Sequence, residues 1–194
     1  MERIRAASKI AAIPAVVYVA AAITAPGCIK HSGRGDLVIG SHPAIAATFT
    51  RAGIPCRISK NIEVDLWTKM IMNCAYNAIS ALGRAKYGRV VRNDWTRKLM
   101  RQVTAEAVAI ARAAGVRLPD ADFDSVVFKL AEAMPEATSS TAQDIARGNR
   151  TEIDSLNGYL VRRGAELGVA TPFSATLHAL VKLLEESEQG DGRV

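Results

Sequence analysis

Lys69, Asn73 and Asn77 follow one another at intervals of four within an apolar stretch. A step of four rotates a helix by only about 40°, so a helix there sets one amine and two amides on one face. Ile71, Met72, Cys74, Ala75, Tyr76, Ala78 and Ile79 make the same segment apolar on nearly every side. That pattern marks a buried helix. Asn suits a helix interior poorly, because its side chain competes for backbone hydrogen bonds. A buried amide left unpaired also costs about 1–3 kcal/mol. Two such amides beside a lysine read as a binding or catalytic site. The plainer alternative has both Asn side chains bonding nearby backbone while Lys69 snorkels to water.

Two further positions carry polar chemistry at helix starts. In Thr151-Glu152-Ile153-Asp154, Thr151 is a good N-cap and Asp154 can reach back to it. Glu152 then falls in the first helical turn, where the helix dipole favours its ionised form. Acidic residues are also ordinary in a first turn. Ser140 with Gln143 fits a capping box. Free amides at such an N-terminus can bind a carboxylate, although simple capping is the commoner use.

The elements that must position these residues change character near residue 60. Before it, segments are short and punctuated. Residues 16–20 and 36–39 read as strands, with Pro26-Gly27 and Ser32-Gly33-Arg34-Gly35 as turns. His42-Pro43 leads into a short helix to about residue 52, which Gly53 stops, and 56–58 can return as a strand. After residue 60 the chain reads as helix throughout. Asn61 can cap a helix over 62–82 that ends at Gly83. Further helices are expected over 94–114 and 122–133, from Ser140 to Gly148, and from Thr151 to Gly168. The last begins at Thr171-Pro172 and fades in the acidic 185–188 stretch, ahead of a frayed tail at 189–194. Two joints share one chemistry: Ala114-Gly115-Val116 before Pro119, and Leu167-Gly168-Val169 before Pro172. Each places a Gly where the left-handed conformation closes a helix, and a Val that can pack back on the last turn.

Composition narrows the function classes. The chain has 194 residues, 49% of them hydrophobic, enough for one domain and part of another and suited to a globular core. Its net charge of +6 is densest at Arg84, Lys86, Arg89, Arg92, Arg97, Lys98 and Arg101. No aromatic ladder accompanies that run, so a solvated face is the reading, with an anionic ligand as the alternative. Cys28, Cys56 and Cys74 are odd in number and widely spaced, which fits a reducing cytoplasm. His31, His42 and His178 lack metal-ligand spacing, so no metal is expected. Charged residues before the apolar 10–25 stretch imitate a signal peptide, but Pro14 interrupts it and it is short for a membrane span. Arg34-Gly35-Asp36 reads as a chance tripeptide. Neither nucleic acid nor membrane is expected as a partner.

Several motifs in one order carry a resemblance. They are Leu66-Trp67-Thr68-Lys69-Met70-Ile71-Met72-Asn73-Cys74-Ala75-Tyr76-Asn77, Ser139-Ser140-Thr141-Ala142-Gln143-Asp144-Ile145, Gly148 through Asp154 with Asn157-Gly158, and Gly168-Val169-Ala170-Thr171-Pro172. Together, over about residues 12–188, they resemble the ketopantoate reductase family of 2-dehydropantoate 2-reductases. The resemblance implies a mainly α fold. On that resemblance, residues 61–194 are expected to form an all-helical substrate and catalytic domain, of the 6-phosphogluconate dehydrogenase C-terminal type. A β-rich remnant of a Rossmann-type nucleotide-binding domain is expected before it, over 1–60.

The implied chemistry is reduction of 2-dehydropantoate, or a related 2-keto acid, to the 2-hydroxy acid with NADPH, in pantothenate and CoA biosynthesis. By the same resemblance Lys69 is the general acid, a role near neutral pH that burial of the amine favours. Glu152 bonds the substrate hydroxyl and helps orient the lysine. Asn73 and Asn77 position substrate and Lys69, and Ser140 binds the substrate carboxylate. The partners implied are a small 2-keto acid and a second copy in a homodimer.

The departures are specific. The family's Gly-rich strand–turn–helix for the NADPH pyrophosphate is absent from this sequence, as is an Asn-bearing loop of its cleft. Tyr87-Gly88 stands where many members carry Asn-Gly. The chain is therefore read as a truncated member. The alternative is a non-catalytic helical module for ligand binding or dimerisation, derived from the same family.

Overall fold

The structure, a computed structural model, describes residues 12–190. The charged residues 2–9 and the tail 191–194 lie outside them. The chain divides into two compact units, one ending at Trp67 and one beginning at Thr68.

The first unit is a small sheet with one helix. β1 (Ala15–Ala25) pairs antiparallel with β2 (Cys28–Ile39), and β3 (Cys56–Ile58) lies parallel to β2. α1 (Pro43–Arg51) makes the crossover from β2 to β3, which a parallel pair requires. Val16, Val38, Ile39 and Ala46 form its buried core. The apolar stretch that imitates a signal peptide thus becomes strand over 15–25. Both N-terminal strands run longer than their sequence pattern. Ser32-Gly33-Arg34-Gly35 is not a turn between strands; it lies inside β2. The pairing slips there, between Tyr18 and Val19 and between Ala20 and Ala21, so the glycines serve bulges. Arg34 takes a positive φ of 54°, bonds Asp36 at 2.8 Å and lies over the Tyr18 ring.

α2 (Ile62–Leu82) starts where Asn61 accepts the Val64 amide at 3.4 Å. It is buried almost all round from Cys74 to Ala81, as its apolar pattern demands. The second unit, from Thr68, packs helices about it: α3 (Tyr87–Arg92), α4 (Asp94–Ala113), α5 (Phe123–Ala133), α6 (Ser140–Ala146), α7 (Asn157–Leu167) and α8 (Pro172–Gly190). The described chain is mainly helical, with a small strand region toward its N-terminus. Tyr76 anchors the core, donating its hydroxyl to the Val127 carbonyl at 3.0 Å with its ring 4.4 Å from that of Tyr87. Burial pushes the Cys74 thiol up, so it sits as an apolar filler.

Local signals explain most helix ends. Asn93 accepts two amides at the start of α4, and Asp122 one at the start of α5. The two Gly joints close alike: Gly115 and Gly168 have φ of +86° and +69°. Val116 and Val169 donate back to Ala111 and Gly164, at 3.0 and 2.8 Å. α3 has no such local signal. Its first amides go instead to the Ala137 and Pro135 carbonyls, both at 2.9 Å. The last helix also runs past the acidic stretch to Gly190, because Glu185 is buried in it rather than solvated. Along the basic run, Lys86 pairs with Glu136 and Arg101 with Asp124. Arg97 and Lys98 cover aromatic rings of Phe128 and Trp95. No helix of the described residues is long and apolar enough to cross a membrane.

Candidate active site

The three polar residues of α2 lie on one face by helix geometry. Lys69 and Asn73 are half-buried and Asn77 is 3% exposed. Asn77 donates its side-chain amide to Ser140 Oγ at 3.4 Å, which joins α2 to the start of α6. The neighbouring serine makes that contact possible. Ser139, and not Ser140, caps α6: its hydroxyl accepts the Ala142 amide at 3.0 Å and donates to the Asn77 carbonyl at 3.1 Å. Its own amide bonds Ser80 at 3.3 Å. Capping is thereby satisfied, and the exposed Ser140 hydroxyl is left to face Asn77.

Glu152 is placed differently from its sequence pattern. Residues Ile153–Ser155 form a single 3-10 turn, and Leu156 breaks away before α7 begins. Glu152 occupies the exposed N-cap position of that turn with no side-chain cap bond, so it is not in the first turn of an α-helix. The reason lies in its neighbours. Thr151 spends its amide and hydroxyl on Glu185 of α8, and Asp154 bonds His178 at 2.8 Å instead of reaching back to Thr151.

Two polar residues join this group that sequence reasoning left aside. Asp144 lies four residues after Ser140, on the same face of α6. Burial raises its carboxyl, and the charge of Glu152 raises it further. The spacing of four was visible in sequence; the neighbour across the fold was not. Asn157 is fully buried at the start of α7 and donates to the Cys74 carbonyl at 3.3 Å, one residue past Asn73. Its Oδ1 has no partner. Within this unit, then, Asn77 of α2 bonds Ser140 of α6, Asn157 of α7 bonds the α2 backbone beside Asn73, and Asp144 of α6 feels the charge of Glu152. Such a set can donate to a carbonyl or carboxylate oxygen and accept from a hydroxyl.

The described residues do not fit a dinucleotide's pyrophosphate. The turn from β2 to α1 has a single glycine, Gly40, and a Cβ there meets Ile62 at 3.7 Å. α1 also starts with Pro43, which lacks an amide hydrogen. Among the described residues, no group of three or more His, Cys, Asp or Glu side chains is placed to hold a metal ion.

Comparison with known proteins adds independent findings. Residues 61–185 match the family described as ketopantoate reductase PanE/ApbA C terminal. A 2-dehydropantoate 2-reductase of Pyrobaculum aerophilum is 35% identical over 175 residues, which cover 89% of this chain and 62% of that protein. A crystal structure of a PanE/ApbA family ketopantoate reductase from Ralstonia eutropha is 51% identical, with a TM-score of 0.84 over 90% of this chain and 59% of its own. D-mandelate dehydrogenase, solved with NADH and anilino(oxo)acetate, shares the fold at 22% identity and a TM-score of 0.82, over 90% of this chain and 60% of its own. The chain thus spans less than two thirds of the length of these relatives.

Proposed function

The chain belongs to the ketopantoate reductase family, and we propose that it supplies the substrate-binding and proton-transfer side of a 2-keto acid reduction. The reaction is the NADPH-dependent conversion of 2-dehydropantoate, or a related 2-keto acid, to the 2-hydroxy acid. The observation that carries this reading is that Asn77, on the helix face it shares with Lys69 and Asn73, bonds Ser140 of a second helix.

The roles follow from what each group can do. The Lys69 ammonium donates to the ketone oxygen and gives it a proton as it becomes an alkoxide. Ser140 and Asn77 hold the substrate carboxylate with neutral donors, so their hold does not depend on pH in the physiological range. Asn73 keeps Lys69 and substrate in register along α2. Glu152 accepts from the substrate hydroxyl. Asp144 feels the Glu152 charge, and two carboxyl groups in that corner favour a donor there over a further carboxylate. These residues bind substrate and move the proton; none of the described residues forms a dinucleotide cradle.

A second reading, a non-catalytic ligand-binding module, draws on that lack of a cradle among the described residues. One titration series separates the two. Calorimetry of the chain with 2-dehydropantoate, with NADPH present, is expected to show saturable binding that weakens about tenfold or more in Lys69→Ala. Binding unchanged by Lys69→Ala removes the assigned role. Saturable binding of NADPH itself, with its slow oxidation, counts against the non-catalytic module.

A further inference from the structure

We infer that Glu185, working with Lys182 and His178 on one face of α8, is the positioning residue that holds Glu152 in place. This deepens the proposed function and rests on Glu152 facing the substrate.

Glu152 itself is exposed, yet the residues around it are anchored. On one side, Thr151 donates its amide at 2.7 Å and its hydroxyl at 2.5 Å to the same oxygen, Glu185 Oε1. The Thr151 hydroxyl oxygen also accepts the Ile153 amide at 3.2 Å, so it spans Glu152. On the other side, Asp154 accepts from His178 Nε2 at 2.8 Å and from Lys182 Nζ at 3.5 Å. Lys182 also donates to Glu185 Oε2 at 2.5 Å, and so links the two carboxylates. Spacings of four and three put His178, Lys182 and Glu185 on one stripe of α8.

This cluster is more than a surface ion pair. Glu185 is 5% exposed. A buried carboxylate is costly unless its oxygens are bonded, and here both are. Charge-assisted bonds of this kind are about twice as strong as neutral ones. The chain also makes room for the contact. A Cβ at Gly158 would meet the His178 ring at 2.8 and 2.9 Å, so glycine there admits the imidazole beside the turn. Glu185 accepts from Thr151, on one side of the turn, and from Lys182. Its effect on the site therefore passes through Glu152.

The test uses Thr151→Val, which deletes the hydroxyl, and Thr151→Ser, which keeps it, in the full chain. Amide hydrogen exchange at Ile153, affinity for 2-dehydropantoate and melting temperature are measured together. Thr151→Val is expected to speed exchange at Ile153 and weaken affinity, each about tenfold, with little change in melting. Thr151→Ser is expected to restore both. Wild-type exchange and affinity in Thr151→Val overturn the inference, as does an affinity loss that Thr151→Ser fails to restore. If the unmodified chain binds no 2-keto acid, the substrate reading fails and exchange alone decides, with Glu185→Ala measured beside the Thr151 variants: unchanged exchange at Ile153 in Glu185→Ala overturns the clamp, and exchange quickened there as in Thr151→Val upholds it.

Discussion

Asn77 shows what a single residue can disclose. An amide in the middle of an apolar helix needs a partner, and that need was visible in the sequence. The partner, Ser140, stands 63 residues away and only the fold could bring it near. Thr151 and Asp154 taught the opposite lesson. Locally they form a good capping pair, but buried partners from α8 outbid the local bond. Those partners also set a pH dependence. Hydrogen bonding from His178 holds the Asp154 carboxyl down, from an ordinary 3.8 to about 2. Burial pushes Glu185 up, but bonds from Lys182 and Thr151 more than offset it, and the net shift is downward from 4.5. Both folded values lie below the unfolded ones. Their stabilisation is therefore complete above about pH 5 and is lost as pH falls through the folded values. Exchange at Ile153 is expected to quicken, after correction for intrinsic rates, between about pH 4 and 2. Glu185→Gln is expected to flatten part of that rise.

Among elements, those whose ends are written locally were legible. The bounds of α2 follow from Asn61 and Gly83, and the end of α4 from Gly115. α3 was missed because its first amides are satisfied from a distant loop. The start of α8 is a mixed case. Thr171-Pro172 marks it in sequence, yet its first amides are held by a residue of α4. Glu106, itself buried, accepts from the Phe173 and Ser174 amides, both at 2.8 Å. Nothing near Pro172 announces a cap 67 residues away. Glu106→Ala removes two charge-assisted bonds from a helix that also carries the Glu185 clamp. It is expected to cost about 2–4 kcal/mol, read from urea denaturation at neutral pH. Glu106→Gln keeps an acceptor and is expected to lose less. Equal stability of Glu106→Ala and the unmodified chain contradicts this role for the cap.

For the whole molecule, the change of texture near residue 60 separated a strand-bearing front from a helical remainder. The compact units divide a little later, after Trp67, inside α2. Periodicity finds where helices run, but the boundary between units depends on which side chains find partners across the chain. The site residues all fall in the second unit, and the family match covers nearly the same stretch. The substrate side can therefore be tested without the dinucleotide. The most direct measurement is nuclear magnetic resonance of the isotope-labelled chain titrated with 2-dehydropantoate. Saturable shifts are predicted at Lys69, Asn73, Asn77, Ser140 and Glu152, and in Lys69→Ala they are predicted to need about tenfold or more 2-dehydropantoate. Shifts that never saturate, or that gather away from these five residues, contradict the site.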